Sequence, residues 1–494
     1  MNIDQVALLP VYAAAATAIA ALVTDLIVPG RRTAVLTVTA LGAVLTVVVA
    51  QAVPGRSTFC TAAGCSYTYD RLAAVVAILF GLLTLAVLAF SVPALHGDIP
   101  PGEYCFLLAC SMTGGVVLGA ARDLITVIVA VETLTLPLYA LVGLRRRAVA
   151  SAEAAVTFFV VSVVSTAVTL LGAALLYATT GALHFTALAT ARPVSMPLVT
   201  AGVSLLIVGL GFKVAAVPLH AWAPPTYDGA PLPIAAYLST ASKLGGVVAI
   251  VLVTTQGLRQ WLDIAGPVLA VLAALTMTVG NLVALRQRRM VRLLAWSSVA
   301  QMGYVLAPLG AFAVSSGRSD AALPVVVAAT IAYTVFFVLL ELAAFGAVIA
   351  LRGDNADGGG EISEYRGAGR RAPWVAGAFT IAVAGLAGLP PGLAGLFAKV
   401  TVVRALLTGG SAWLAVVVAL NAVIGLAYYV RVVATLYAFA PADARPSAVA
   451  RPRLPWAVAV GLAVVTLAGL VAGVAPQLVL DAATTAAETQ PFAR

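Results

Sequence analysis

The chain has 494 residues, of which 62% are hydrophobic and 10% charged, and its mean hydropathy is +1.06, which excludes a globular domain in water. Its apolar runs are continuous rather than alternating, which excludes a transmembrane β-barrel; at about 20 residues per crossing the length allows about fourteen helices. The net charge of +9 needs no nucleic acid to explain it, because cytoplasmic loops of membrane proteins collect Arg and Lys anyway.

In chain order, apolar runs between charged or Pro/Gly-rich breaks predict an all-α integral membrane protein. The first span, 6–28, follows Asp4 and no basic residue, so it reads as an uncleaved span rather than a secretory signal. Spans at 34–53 and 72–93 flank a loop holding Cys60 and Cys65, where a disulfide is possible if the loop lies outside. Cys105 and Cys110 fall in span 103–120 as packing residues. Glu132 lies midway along span 123–144, and Glu153 opens span 153–179 beside Arg145, Arg146 and Arg147 as an interfacial pair. Asp25 is similarly interfacial. The seventh span, 196–221, is broken at Lys213-Val-Ala-Ala-Val-Pro218 and carries His220 near its inner end. The eighth, 231–254, holds Lys243; spans at 263–285 and 291–312 follow, and the eleventh, 322–350, holds Glu341. Asp357-Gly-Gly-Gly-Glu361 reads as a flexible linker. The twelfth span, 373–403, is interrupted by Gly388-Leu-Pro-Pro-Gly392 ahead of Lys399, and the last two are 411–438, with Arg431, and 455–476.

Loop charge sets the orientation. With the N-terminus outside, sixteen arginines fall in inside loops and eight outside, the inside ones in clusters such as 286–292 and 445–453. The positive-inside rule then places both termini on the outer face. Proline removes a backbone donor, so spans seven and twelve should kink or unwind. The two breaks lie five spans apart, each beside a lysine, as an inverted five-helix repeat would give. One membrane domain therefore covers 1–494, with repeats at about 100–255 (spans four to eight) and 262–440 (nine to thirteen) and spans one to three and fourteen peripheral.

The chain has only three lysines, Lys213, Lys243 and Lys399, all inside spans, whereas the loop cations are almost all arginine; Arg431 alone joins them within the spans. A guanidinium keeps its proton, whereas a desolvated ammonium can release one. Snorkelling or fixed salt bridges are the bland alternative, but Lys213 and Lys243 lack the obvious helix-end position that snorkelling needs. Glu132 and Glu341 supply carboxylate partners, and Glu132 with Lys213 is the favoured pair. His220 is a weaker proton relay, or a packing histidine. No phosphate-binding loop, metal spacing or nucleophile arrangement appears, so no cofactor is expected in this chain.

Gly211-Phe-Lys-Val-Ala-Ala-Val-Pro-Leu-His-Ala-Trp222, Pro224-Pro-Thr-Tyr-Asp-Gly-Ala-Pro231 and Ser239-Thr-Ala-Ser-Lys243 resemble the signature of the antiporter-like subunits of respiratory complex I. Val131-Glu-Thr-Leu-Thr-Leu-Pro-Leu-Tyr139, Glu153-Ala-Ala-Val-Thr-Phe-Phe159, Tyr177-Ala-Thr-Thr-Gly181 and Arg292-Leu-Leu-Ala-Trp-Ser-Ser-Val-Ala-Gln-Met-Gly-Tyr304 resemble further parts of the same family. The resemblance implies a proton-translocating subunit driven by NADH-to-quinone electron transfer in partner subunits. FMN, iron–sulfur clusters and quinone would sit there, and the partners would be membrane-arm subunits of the A, H, J, K, L and M types, the peripheral arm and the bilayer. It implies Glu132 and Lys213 as a modulating pair, Lys243 as central relay and Lys399 as the exchange site toward the outside. Thr157 and Val291 stand where the family commonly has lysines. Alternatives are a subunit of a multisubunit cation/proton antiporter, a related membrane-bound hydrogenase, or a non-conducting structural paralogue.

Overall fold

A computed structural model describes residues 3–52, 54–96, 99–145, 148–352, 358–439 and 454–488. Arg146, Arg147, Asp357, Arg445, Arg451, Arg453 and Arg494 lie outside these residues, and with them the charges of several predicted inside loops. The protein is a predominantly helical integral membrane protein. Its helices are α1 (Leu9–Ile27), α2 (Arg32–Ala52), α3 (Arg71–Ser91), α4 (Pro101–Ala120), α5 (Leu124–Val142), α6 (Val149–Thr180), α7 (Met196–Lys213), α8 (Leu232–Gly257), α9 (Leu262–Ala284), α10 (Met290–Gly310) and α11 (Ala322–Arg352). They continue as α12 (Pro373–Ala387), α13 (Leu393–Thr408), α14 (Ala412–Tyr437), α15 (Trp456–Val474) and α16 (Gln477–Glu488).

Among the described residues twelve helices are long and apolar enough to cross a membrane. The predicted tenth span is the 21-residue α10, whose Arg292, Ser297, Ser298 and Gln301 make it more polar, and the twelfth is the broken pair α12 and α13.

Burial sorts the helices into a centre and a rim. Helix α8 is buried from Pro233 to Gly257, and α10 and α11 are buried over most of their length. On α1, α2, α6 and α15 large apolar side chains such as Ile19, Leu41, Val164 and Leu467 point outward. In water such a rim would be unstable; against acyl chains it is the expected surface.

Both breaks occur where proline and glycine prevent continuation. Helix α7 stops at Lys213, and the chain passes a cis Val217–Pro218 bond before a short helix at Ala223–Gly229. The second break contains a cis Pro390–Pro391 bond and Gly388 at φ 86°, a left-handed conformation that closes α12. Its backbone passes close to a lysine: a Cβ on Gly388 would come within 3.2 Å of Lys399 Nζ.

Several expectations are corrected. Arg404, assigned to an outside loop, lies within α13, because that helix continues to Thr408; Arg431 is therefore not alone among arginines in the helices. The supposed linker at 357–361 is ordered from Gly358 onward. The Gly360 carbonyl accepts from Met290 N–H, the Gly359 carbonyl accepts from the Tyr365 hydroxyl at 2.6 Å, and Val291 packs on Gly359. Glycine serves there for close approach rather than for flexibility. Two features have no counterpart in the predicted elements. A β-hairpin, β1 (Arg56–Thr61) with β2 (Gly64–Tyr69), joins α2 to α3, and the amphipathic α16 packs on α11. The hairpin is closed by a Cys60–Cys65 disulfide and docks on the α4–α5 connection through Arg122, which bonds Asp70 at 2.6 Å.

Candidate functional site

Each lysine occupies a different polar niche. Lys213, the last residue of α7, places Nζ 2.8 Å from Glu132 Oε1 on α5, 3.3 Å from Ser162 Oγ and 3.5 Å from Thr135 Oγ1. Thr166 donates to the same carboxylate oxygen at 2.6 Å, and the Tyr139 hydroxyl bonds Ser162. Ser162 and Thr166 stand one turn apart on α6, so one helix face supplies both hydroxyls. The side chain of Lys213 is 5% exposed and that of Glu132 21%. The pair thus runs from the interior toward the chain's surface at α5. An ion pair in such a place persists because each charge has hydrogen-bond partners as well as its counter-charge.

Lys243 lies deeper. It is fully buried, directly after a π-helical turn at Leu238–Ser242, a helix irregularity frequent at functional sites. Its ammonium donates to Ser298 Oγ on α10 at 2.5 Å and lies 5.8 Å from the centre of the Tyr227 ring. One turn along α8, Gly246 packs on Lys213, where a Cβ would lie 3.0 Å from the lysine's own Cβ. The first two lysines therefore belong to directly packed helices. Glu341, on α11, is also fully buried and interacts electrostatically with Lys243, yet neither of its carboxylate oxygens has a hydrogen-bond partner among the described residues.

Lys399 uses the broken helix itself. From α13 its ammonium donates to the Leu386 and Ala387 carbonyls at 2.9 and 2.5 Å. These are orphan carbonyls at the end of α12, where the partial negative charge of the helix terminus favours a cation. The Tyr304 ring lies 5.5 Å from the ammonium.

A hydrogen-bonded thread leads back from Lys399 toward Lys243. Gln301 Nε2 donates to the Leu386 carbonyl at 3.0 Å and to the Tyr429 hydroxyl at 3.0 Å, while its Oε1 accepts from Tyr333 at 2.6 Å. Tyr429 in turn lies 2.5 Å from Ser297 Oγ, and Ser297 adjoins Ser298, the partner of Lys243. A small cavity lined by Gln301, Tyr333, Leu340, Leu386 and Ala398 lies alongside.

The remaining predicted residues stand apart from this arrangement. His220 is half-buried, with Nδ1 3.2 Å from the Pro218 carbonyl and its ring 5.1 Å from Trp296. Arg431 bonds the Leu285 and Gln287 carbonyls at 2.7 and 2.8 Å, which makes it a cap for the end of α9. Thr157 is half-buried on α6, five residues before Ser162. Asp25 faces Gly102 at the start of α4. Among the described residues no group of three or more His, Cys, Asp or Glu is placed to hold a metal ion.

Sequence reasoning missed Ser162, Thr166, Ser298, Gln301, Tyr333 and Tyr429. Their signal was present for two helices: Ser297, Ser298 and Gln301 share a face of α10, as Ser162 and Thr166 do on α6, at helical spacing in otherwise apolar runs.

The chain matches known proteins. The family model described as NADH:quinone oxidoreductase/Mrp antiporter, transmembrane, matches residues 121–425. NADH-quinone oxidoreductase subunit N of Salinispora tropica is 60% identical, over 98% of this chain and 99% of its own length. NADH-quinone oxidoreductase subunit N 2 of Streptomyces griseus is 44% identical, over 97% and 93%. A chain of respiratory complex I from Thermus thermophilus superposes with a TM-score of 0.77 at 28% identity, over 96% of this chain and 98% of that one.

Proposed function

The chain belongs to the NADH:quinone oxidoreductase/Mrp antiporter family, and from that premise we propose that it is a proton-translocating membrane-arm subunit of a proton-pumping NADH-quinone oxidoreductase. The observation that carries the reading is the set of three buried lysines, each in its own polar niche: Lys213 and Lys243 on the directly packed helices α7 and α8, and Lys399 on α13, which packs on α10 and α11 of the same bundle. An ammonium held by a carboxylate, a hydroxyl or a helix-end carbonyl can exchange a proton as its partners move; an arginine could not.

In this reading Glu132 and Lys213 form the modulating pair, Lys243 is the central relay, and Lys399 exchanges protons with the outer side. Electron transfer takes place in partner subunits, which would hold FMN, iron–sulfur clusters and quinone. The partners are further membrane-arm subunits of the A, H, J, K, L and M types. His220 is at most an accessory to the path, since its ring bonds the Pro218 carbonyl and packs on Trp296. The two breaks, each beside a lysine, support the paired repeats at about 100–255 and 262–440. The Cys60–Cys65 disulfide supports an outer location for the hairpin, and hence for both termini, at a bacterial plasma membrane.

The test is NADH-driven acidification of inverted membrane vesicles carrying Lys213→Ala, with NADH oxidation followed in parallel. Loss of pumping together with coupled turnover is expected. Wild-type rates for both would overturn the reading, and sodium-dependent proton exchange would be measured next.

A further inference from the structure

We propose that Glu341 is an intermediate proton station, taking a proton from Lys243 and delivering it to Lys399. The inference rests on the relay reading above and adds a carboxylate to its second half. Glu341 is fully buried on α11, and both its oxygens lack hydrogen-bond partners among the described residues. A carboxylate kept only to tie helices together would be hydrogen-bonded, because leaving it unsatisfied is costly. A carboxylate that alternates between charged and neutral forms must not be locked by donors.

Its surroundings connect the two lysines. Its charge acts on Lys243 and on Tyr227, the ring beside the Lys243 ammonium. It also reaches Tyr429, the hydroxyl that Ser297 and Gln301 hold in the thread leading to Lys399. Leu340, the preceding residue, packs against Gly385 and lines the same small cavity as Leu386 and Ala398, the neighbours of the Lys399 niche.

The steps balance. The Lys243 ammonium gives a proton to the Glu341 carboxylate, leaving a neutral amine and a neutral acid. The acid then protonates the neutral Lys399 amine, restoring the carboxylate and creating an ammonium. The net result is one proton moved from Lys243 to Lys399, with no oxidant or reductant involved.

Glu341→Gln keeps the side chain's shape and removes its capacity to hold the proton. In the assembled complex, NADH-driven pumping should fall at least about tenfold, and Glu341→Asp should restore a substantial part. Lys399→Ala is measured in parallel. If it abolishes pumping while Glu341→Gln pumps as wild type, the station is overturned and the relay reading stands. If both pump as wild type, the relay reading itself fails. Should the Gln variant not assemble, Glu341→Asp decides through its infrared difference spectrum during turnover. A displaced carboxylic acid band is expected, and an unmoved one overturns the proposal.

Discussion

Lys399 and Gln301 share one acceptor, the carbonyl oxygen of Leu386, at 2.9 and 3.0 Å. A carbonyl has two lone pairs, so both donors can be accommodated. Gln301 therefore anchors the end of α12 beside Lys399, and its bond alone would satisfy the Leu386 carbonyl without the ammonium.

That relationship separates two variants. Gln301→Ala removes the anchor but no titrating group, so the assembled complex should pump several-fold more slowly, with Lys399 still functional. Lys399→Arg keeps a cation able to bond the same carbonyls but unable to release its proton, and should reduce pumping by at least about a hundredfold. Proton flux in vesicles, normalised to the amount of assembled complex, checks both. Equal and mild losses would show that Lys399 only holds α12 in place.

Much of this site was legible in the sequence for one physical reason. A lysine in an apolar run, in a chain that otherwise uses arginine, is visible without knowing its neighbours, and so are Pro-Pro and Gly at a helix break. The partners were harder to find because contacts such as Ser297 with Tyr429 join residues 132 positions apart, and no local pattern encodes them. Arg431 looked like a membrane cation because its capping targets, the Leu285 and Gln287 carbonyls, come from another helix. The Gly-rich segment was misread because glycine serves flexible chain and close packing alike, and only its neighbours Val291 and Tyr365 decide between them.

Arg431 should accordingly affect stability rather than transport. Removing a charged donor from two helix-end carbonyls costs about 1.5–3 kcal/mol. Arg431→Leu should lower the complex's thermal stability and yield, while pumping per assembled complex stays at the wild-type level. A loss of pumping at normal yield would mean that the guanidinium acts on the relay.

The segment before α12 has a defined pH response. Burial alone would raise the Glu364 carboxyl, but the Glu361 backbone N–H and the Arg352 guanidinium outweigh it and hold it below the usual value of 4.5. A carboxyl lowered by folding stabilises the fold above that value and loses the contribution as pH falls through its lower folded value. Glu364→Gln should therefore melt below the wild type at pH 7. The difference should shrink as pH is lowered below 4.5 and vanish once pH has passed the lower folded value. Thermal unfolding of the purified complex at pH 7 and through that range measures it, and a difference independent of pH would assign the effect to shape instead of charge.

The Cys60–Cys65 disulfide tests orientation and stability at once. Closing so short a loop contributes about 2 kcal/mol in the chain-entropy model, and the hairpin is also held by its strand ladder and by the Arg122–Asp70 pair. Replacing both cysteines by Ala should leave pumping unchanged and loosen only the hairpin, seen as faster amide exchange over Arg56–Tyr69. The same bond reports which face it occupies. If the hairpin lies outside, a membrane-impermeant reductant should open it in right-side-out vesicles and leave it intact in inverted ones. Reduction only in inverted vesicles would place the hairpin on the cytoplasmic side, and with it both termini.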